Sequence, residues 1–178
     1  QSLPLPDAED VFAAALKAPA MPAESLSYEA AGVRVDRPRT LDEALNLRSD
    51  FPEARVVSGG TDLSVDVNRA RRRHAHWLAL DGIEELRAIT REGDVHAIGA
   101  GASWNDIYRA LASDVPLFAK LIPLFASFPL RTRATIGGNL VNGSPVGDGA
   151  PVLLALDAEL ELASVRGVRR LPLSDFFT

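Results

Sequence analysis

Cysteine is absent from all 178 positions of the chain. Disulfides, thiolate catalysis, cysteine-bound zinc and iron–sulfur ligation are therefore excluded within these residues. Long hydrophobic runs are missing as well: nothing approaches the roughly 18 apolar residues that would cross a bilayer, so no membrane partner is expected. The opening residues lack the charged-then-apolar order of a secretory signal. Positive charge is in short supply. Lys and Arg number 19 against 24 Asp and Glu, a net charge of −5, which argues against nucleic acid as the main partner. The one basic run, Arg69-Ala70-Arg71-Arg72-Arg73-His74, reads as a solvated turn ahead of a strand, with a docking patch for an acidic partner as the alternative. The three histidines, His74, His76 and His96, share no ligand spacing, so no metal site is expected. Neither is a nucleophile–base pair, and no residue is assigned a catalytic role.

Two glycine-rich stretches stand out against these absences: Val57-Ser58-Gly59-Gly60-Thr61-Asp62-Leu63 and Ala134-Thr135-Ile136-Gly137-Gly138-Asn139-Leu140. Each adjoins an extended-looking apolar run and sets paired glycines beside a hydroxyl residue. Such turns let successive N–H groups converge on a phosphate oxygen. The stretches lack the lysine of a P-loop and the G-x-G-x-x-G of the ordinary dinucleotide fingerprint. Each alone also reads as a tight turn between strand and helix. Together they point to a ligand with two phosphates held from both sides.

Periodicity supplies the frame. Residues 1–30, rich in Ala and Pro, read as a linker with a short helix around Glu9–Lys17. Val33–Asp36 reads as a strand. Thr40 caps the helix that follows, with Glu43 as the partner of a capping box. Arg55–Ser58 is a strand feeding the first glycine stretch, and Leu63–Asn68 a short helix after it. Trp77–Leu80 reads as a buried strand, and Arg87–Arg91 with Val95–Gly99 as a hairpin. Ser103 caps a helix through Leu111, Pro123 interrupts an apolar helix over Leu117–Phe125, and Pro151–Ala155 is a short helix. Leu160–Val165 and Val168–Leu171 make a closing hairpin. The sum is an α+β, two-lobed chain with both glycine stretches facing a shared cleft.

The two stretches, and the continuation Val141-Asn142-Gly143-Ser144-Pro145-Val146-Gly147-Asp148, resemble the FAD-binding domain of the molybdenum hydroxylases. The look is closest to the bacterial xanthine dehydrogenase small subunit, from about Val33 to Phe177. That resemblance implies a two-lobed FAD-binding domain of the PCMH/vanillyl-alcohol-oxidase type. Residues 1–30 would be a linker from an upstream, 2Fe-2S domain, 31–90 a first lobe, and 91–178 a second lobe that is incomplete at its C-terminus. It implies non-covalent FAD, since neither stretch holds a Cys or His for attachment. The implied function is to take electrons from 2Fe-2S clusters and reduce NAD+, while a purine is hydroxylated at a molybdopterin site elsewhere in a cytoplasmic hetero-oligomer. The clusters and the molybdenum cofactor lie on other residues or subunits. A flavin subunit of carbon monoxide dehydrogenase or of another aromatic or aldehyde hydroxylase is the near alternative; a non-catalytic assembly surface without flavin is the distant one.

Carried over position by position, the resemblance assigns the pyrophosphate to the backbone N–H groups of Gly59, Gly60, Thr61 and Asp62 and to the Thr61 hydroxyl, with Ser58 also at a cofactor position and Val56, Val57 and Leu63 beside the adenine and the loop. Asp62 also reads as a helix cap. Ala134, Thr135, Gly138, Asn139 and Val141 fall at cofactor positions of the second motif, and Asn142 and Asp148 near the ribityl chain and flavin. Asp148 has a lesser reading as a turn residue between Gly147 and Gly149. Phe125 falls where an aromatic faces the flavin ring, and reads equally as core. Phe128 departs from the pattern, which commonly has a polar or basic residue in that stretch.

Overall fold

The computed structural model describes residues 24–177. Strands β1 (Leu26–Ala30) and β2 (Val33–Arg37) form an antiparallel hairpin whose turn residues, Ala31 and Gly32, are both left-handed at φ 52° and 75°. That turn twists with the strands and closes them tightly. Residues 26–30 are thus part of the first sheet and not linker; the expected helix around Glu9–Lys17 lies outside the described residues.

Helix α1 (Leu41–Asp50) starts where Thr40 Oγ1 accepts the Glu43 amide at 3.2 Å. The Glu43 carboxylate reaches back to the Arg39 amide at 2.9 Å, so both orphan ends of the first turn find partners. The chain then runs through β3 (Arg55–Val57), α2 (Thr61–Arg69) and β4 (His76–Ala79). The sheet order is β1-β2-β4-β3, with β2 and β3 both parallel to β4. Parallel neighbours require crossovers, which α1 and α2 supply. On β4 His76 and Leu78 are buried. His76 bonds through Nε2 to Asp36 Oδ2 at 2.7 Å, a contact that sequence spacing did not suggest. Their neighbourhood comes from strand register, which sets Arg34 opposite His76 and Asp36 opposite Leu78.

Strand β5 (Ile89–Glu92) straddles the expected lobe boundary at 90/91. It pairs with β6 (Val95–Ile98) around Gly93 at φ 61°. From residue 104 the chain is largely helical: α3 (Trp104–Leu111), α4 (Pro116–Leu121) with a 3₁₀ turn at Ile122–Leu124, α5 (Phe128–Arg131), α6 (Ile136–Asn142) and α7 (Gly149–Ala155). The hairpin of β7 (Glu159–Ser164) and β8 (Gly167–Pro172) follows. Ser103 Oγ accepts the Asp106 amide at 3.1 Å and so opens α3 as the sequence predicts. Trp104, Ile107 and Leu111, spaced at i, i+3 and i+7, turn one face inward. They pack with Phe118, Ile122, Ile136, Leu140, Leu153 and Leu173 into one core. Each such side chain, fully buried, contributes about 1.5–3 kcal/mol.

Candidate functional site

Strand β3 ends at Val57, and the chain turns through Ser58 and Gly59 to Gly60, which is left-handed at φ 71° and stands at the N-cap of α2. The helix begins at Thr61, two residues earlier than the sequence suggested. Asp62 therefore lies inside the first turn, exposed, and does not cap; the cap position falls to Gly60, with no side-chain hydrogen bond. Ser64 ties the turn down, its amide and its hydroxyl donating to the Gly60 carbonyl at 2.9 and 2.7 Å. The amides of Ser58 to Leu63 make no hydrogen bond among the described residues. The Ser58 and Thr61 hydroxyls are unpartnered too. Unsatisfied N–H groups at a helix N-terminus after a parallel strand form an anion cradle, favoured by the helix dipole.

The second motif behaves differently. Ile136–Asn142 is helix α6, and its early amides are already engaged. Ile136 donates to Ala102 at 3.0 Å, Gly137 to Ala100 at 2.9 Å, Gly138 to Thr135 Oγ1 at 3.2 Å, and Asn139 to the Thr135 carbonyl at 3.0 Å. Thr135 is a strong N-cap that makes this stretch a helix start, so its first amides have partners within the protein where those of the first stretch have none. The glycines answer to close approach, since neither has positive φ. A Cβ on Gly137 would lie 2.7 Å from Ala100 Cβ, and one on Gly138 2.8 Å from the capping Thr135 hydroxyl.

The two motifs nevertheless meet, as a shared cleft requires. Gly59 packs on the backbone of Arg133 and Ala134, where a Cβ would fall 2.8 Å from the Arg133 carbonyl carbon and 3.2 Å from Ala134 Cα. Ala134 in turn accepts the Trp104 amide at 3.1 Å, and Ser103 bridges Thr135. Trp104, 0% exposed, holds the rest. The Phe125 ring lies 5.1 Å from it centre to centre. Gly149 packs against its indole, and Asn139 Oδ1 abuts the same glycine. The indole Nε1 has no partner. Trp104 was not singled out from the sequence; its signal was a large aromatic at the first helical position behind a serine cap.

The remaining assigned residues surround this junction. Val56 is exposed, while Val57, Leu63 and Ala134 are half-buried. Phe125 is half-buried against the core and Trp104. Val141 and Asn142, at the end of α6, are exposed. Asp148 stands at the N-cap position of α7, exposed, and its side chain caps nothing. The adjoining turn is held by Ser144 instead, whose carbonyl accepts the Gly147 amide at 2.9 Å. Phe128 is exposed at the start of α5. No group of three or more His, Asp or Glu among the described residues is placed to hold a metal.

These residues fit FAD. The first loop offers donors and a glycine-lined approach for a pyrophosphate, and Asn139, Asn142 and Asp148 offer side-chain groups for polyol hydroxyls.

Residues 31–178 match the family described as the FAD binding domain in molybdopterin dehydrogenase. The xanthine dehydrogenase FAD-binding subunit of Escherichia coli O157:H7 is 33% identical over 146 residues, covering 80% of this chain and 50% of that protein. The nicotinate dehydrogenase FAD-subunit of Eubacterium barkeri is 35% identical over 145 residues, 79% of this chain and 49% of the relative. Among solved structures, the carbon monoxide dehydrogenase of Hydrogenophaga pseudoflava lacking the Mo-pyranopterin moiety superposes with a TM-score of 0.76 at 29% identity. It covers 81% of this chain and 51% of that one. The chain thus spans about half the length of these relatives.

Proposed function

The chain belongs to the family of FAD-binding domains of the molybdopterin dehydrogenases, and on that premise we propose that it is the flavin module of a xanthine dehydrogenase-type molybdenum hydroxylase. The observation that carries the reading is the row of unbonded amides from Ser58 to Leu63, closed against the second motif at Gly59.

In this reading the row and the Thr61 hydroxyl take the pyrophosphate, and the N-terminus of α2 favours its charge. Val56, Val57 and Leu63 give the adenosine end apolar contacts. Asn139, Asn142 and Asp148 receive the ribityl hydroxyls, and Phe125, backed by Trp104, offers a ring face to the flavin. Thr135, Gly137 and Gly138 set the helix start that orients Asn139. When bound, FAD supplies the exchange of electrons singly or in pairs.

The proposed setting is a cytoplasmic hetero-oligomer with 2Fe-2S domains, a molybdenum-cofactor subunit and NAD+ as acceptor. Similarity to a xanthine dehydrogenase subunit supports it. Similarity to a nicotinate dehydrogenase subunit favours a second reading, the same module serving another ring substrate. Purified complex mixed with xanthine, nicotinate or carbon monoxide in the presence of NAD+ tests the choice. Xanthine-dependent NADH formation is expected. NADH formation with nicotinate or carbon monoxide alone would replace the substrate assignment, and a complex without flavin would remove the module from electron transfer.

A further inference from the structure

Between the two lobes' contact and the core runs one short segment, Phe128 to Ala134, that touches both halves of the candidate site. Its far end carries the Arg133 and Ala134 backbone against which Gly59 closes. Near its middle, Arg131 reaches back across the preceding turn. Arg131 Nη1 donates to the carbonyls of Phe125 at 2.7 Å and Ala126 at 2.9 Å, with the Pro123 carbonyl at 3.5 Å. No carboxylate among the described residues pairs with this guanidinium. Its charge is held by carbonyl dipoles alone.

Those dipoles belong to a strained turn. Ala126 is left-handed at φ 45°, a conformation that costs a residue with a Cβ and persists only where the surroundings fix it. The Phe125 amide is anchored on the other side, donating to the Leu121 and Ile122 carbonyls at 3.1 and 3.2 Å. Phe125 is therefore pinned at its amide by the end of α4 and at its carbonyl by Arg131, with its ring set on Trp104.

We propose that Arg131 is a positioning residue for the cofactor: it clamps the 123–126 turn so that the Phe125 ring is fixed where the flavin ring docks, in register with the Gly59 closure. This rests on the flavin reading given above. All the bonds come from one nitrogen, so a lysine ammonium can reproduce them and a methionine of similar length cannot.

The test uses the assembled complex stripped of FAD, comparing wild type, Arg131→Lys, Arg131→Met and Ala126→Gly with Arg131→Met. Amide hydrogen exchange over residues 124–127 in the FAD-free protein reads the clamp without the cofactor. FAD titration and the visible circular dichroism of the bound flavin read its consequence. Arg131→Met is expected to speed exchange and to weaken FAD by roughly tenfold or more, with an altered flavin dichroism. Arg131→Lys should restore affinity to within about threefold of wild type. Glycine at 126 should leave the Met variant's FAD affinity as weak as before, because relief of strain does not restore the position of Phe125. Unchanged exchange in Arg131→Met overturns the clamp. Faster exchange with wild-type FAD affinity and dichroism makes Arg131 merely structural and overturns the proposal. A wild-type complex that takes up no FAD defeats the flavin reading itself, and the positioning role with it.

Discussion

Replacing Gly59 with alanine is the smallest perturbation that separates the two motifs. The added methyl would fall 2.8 Å from the Arg133 carbonyl carbon and 3.2 Å from Ala134 Cα, and closer still to the Arg133 oxygen. Carbon contacts settle at about 3.5–4.0 Å, so backbone must withdraw by on the order of an ångström. Neither side yields easily. Arg133 and Ala134 donate to the Leu130 carbonyl at 3.0 and 2.7 Å, and Ala134 accepts the Trp104 amide at 3.1 Å. Overpacking of this kind costs about 1–3 kcal/mol. Falling on the face that presents the free amides, it should raise the FAD dissociation constant roughly 10- to 100-fold. Gly60 supplies the control. A Cβ there meets only Val57 Cγ2, at 3.6 Å, but φ is +71°. Alanine should then cost about 1–2 kcal/mol through backbone strain alone. Asparagine, which tolerates the left-handed region, should recover much of that at 60 and nothing at 59. FAD titration and thermal unfolding of the complex measure both positions. A Gly59→Ala variant with wild-type affinity and wild-type unfolding would refute the closure of the first loop on the second motif.

Asp148→Ala should weaken FAD by about 1–3 kcal/mol while leaving the thermal stability of the FAD-free protein unchanged, because its side chain bonds nothing within the protein; lost FAD-free stability with intact FAD affinity would mark a turn residue only. Burial pushes the Asp36 carboxyl up, but hydrogen bonds from Ser27, Arg34 and His76 and the Arg34 charge outweigh it and hold the group below 3.8. A depressed folded-state value means the stabilisation is complete above the unfolded value and is lost as pH falls below about 3.8 through the folded one. Acid unfolding of Asp36→Asn should therefore be shallower over that window, and an identical acid limb would remove Asp36 from the linkage. Thr135→Ala should cost about 1 kcal/mol by uncapping α6, read as a lower unfolding midpoint; an unchanged midpoint would mean the cap contributes nothing.

Local chemistry was legible in the sequence wherever one residue decides the outcome. Thr40 and Ser103 announced their helices, Pro123 the break after α4, and the runs Arg87–Arg91 and Val95–Gly99 the hairpin of β5 and β6. What depends on tertiary register was not. The pairing of β1 with β2 was hidden because Leu26–Ala30 is short, exposed on every residue and preceded by proline-rich sequence. The Asp36–His76 bond spans 40 residues and exists only because β2 and β4 are parallel neighbours. At the candidate site, both glycine motifs were found, but their likeness on paper concealed different physics. Gly60 needs a left-handed backbone, whereas Gly137 and Gly138 need only room, because Thr135 turns that stretch into a helix. Trp104, the side chain that joins Phe125 to Gly149, carried no motif at all.

The central claim is that the native complex holds FAD without a covalent bond in the cleft built by Ser58–Leu63 and the second motif. Acid precipitation of the purified complex, followed by chromatography of the supernatant, tests it most directly. Stoichiometric FAD released intact into the supernatant is the predicted result. Flavin retained in the pellet, FMN in place of the dinucleotide, or no flavin at all would contradict it.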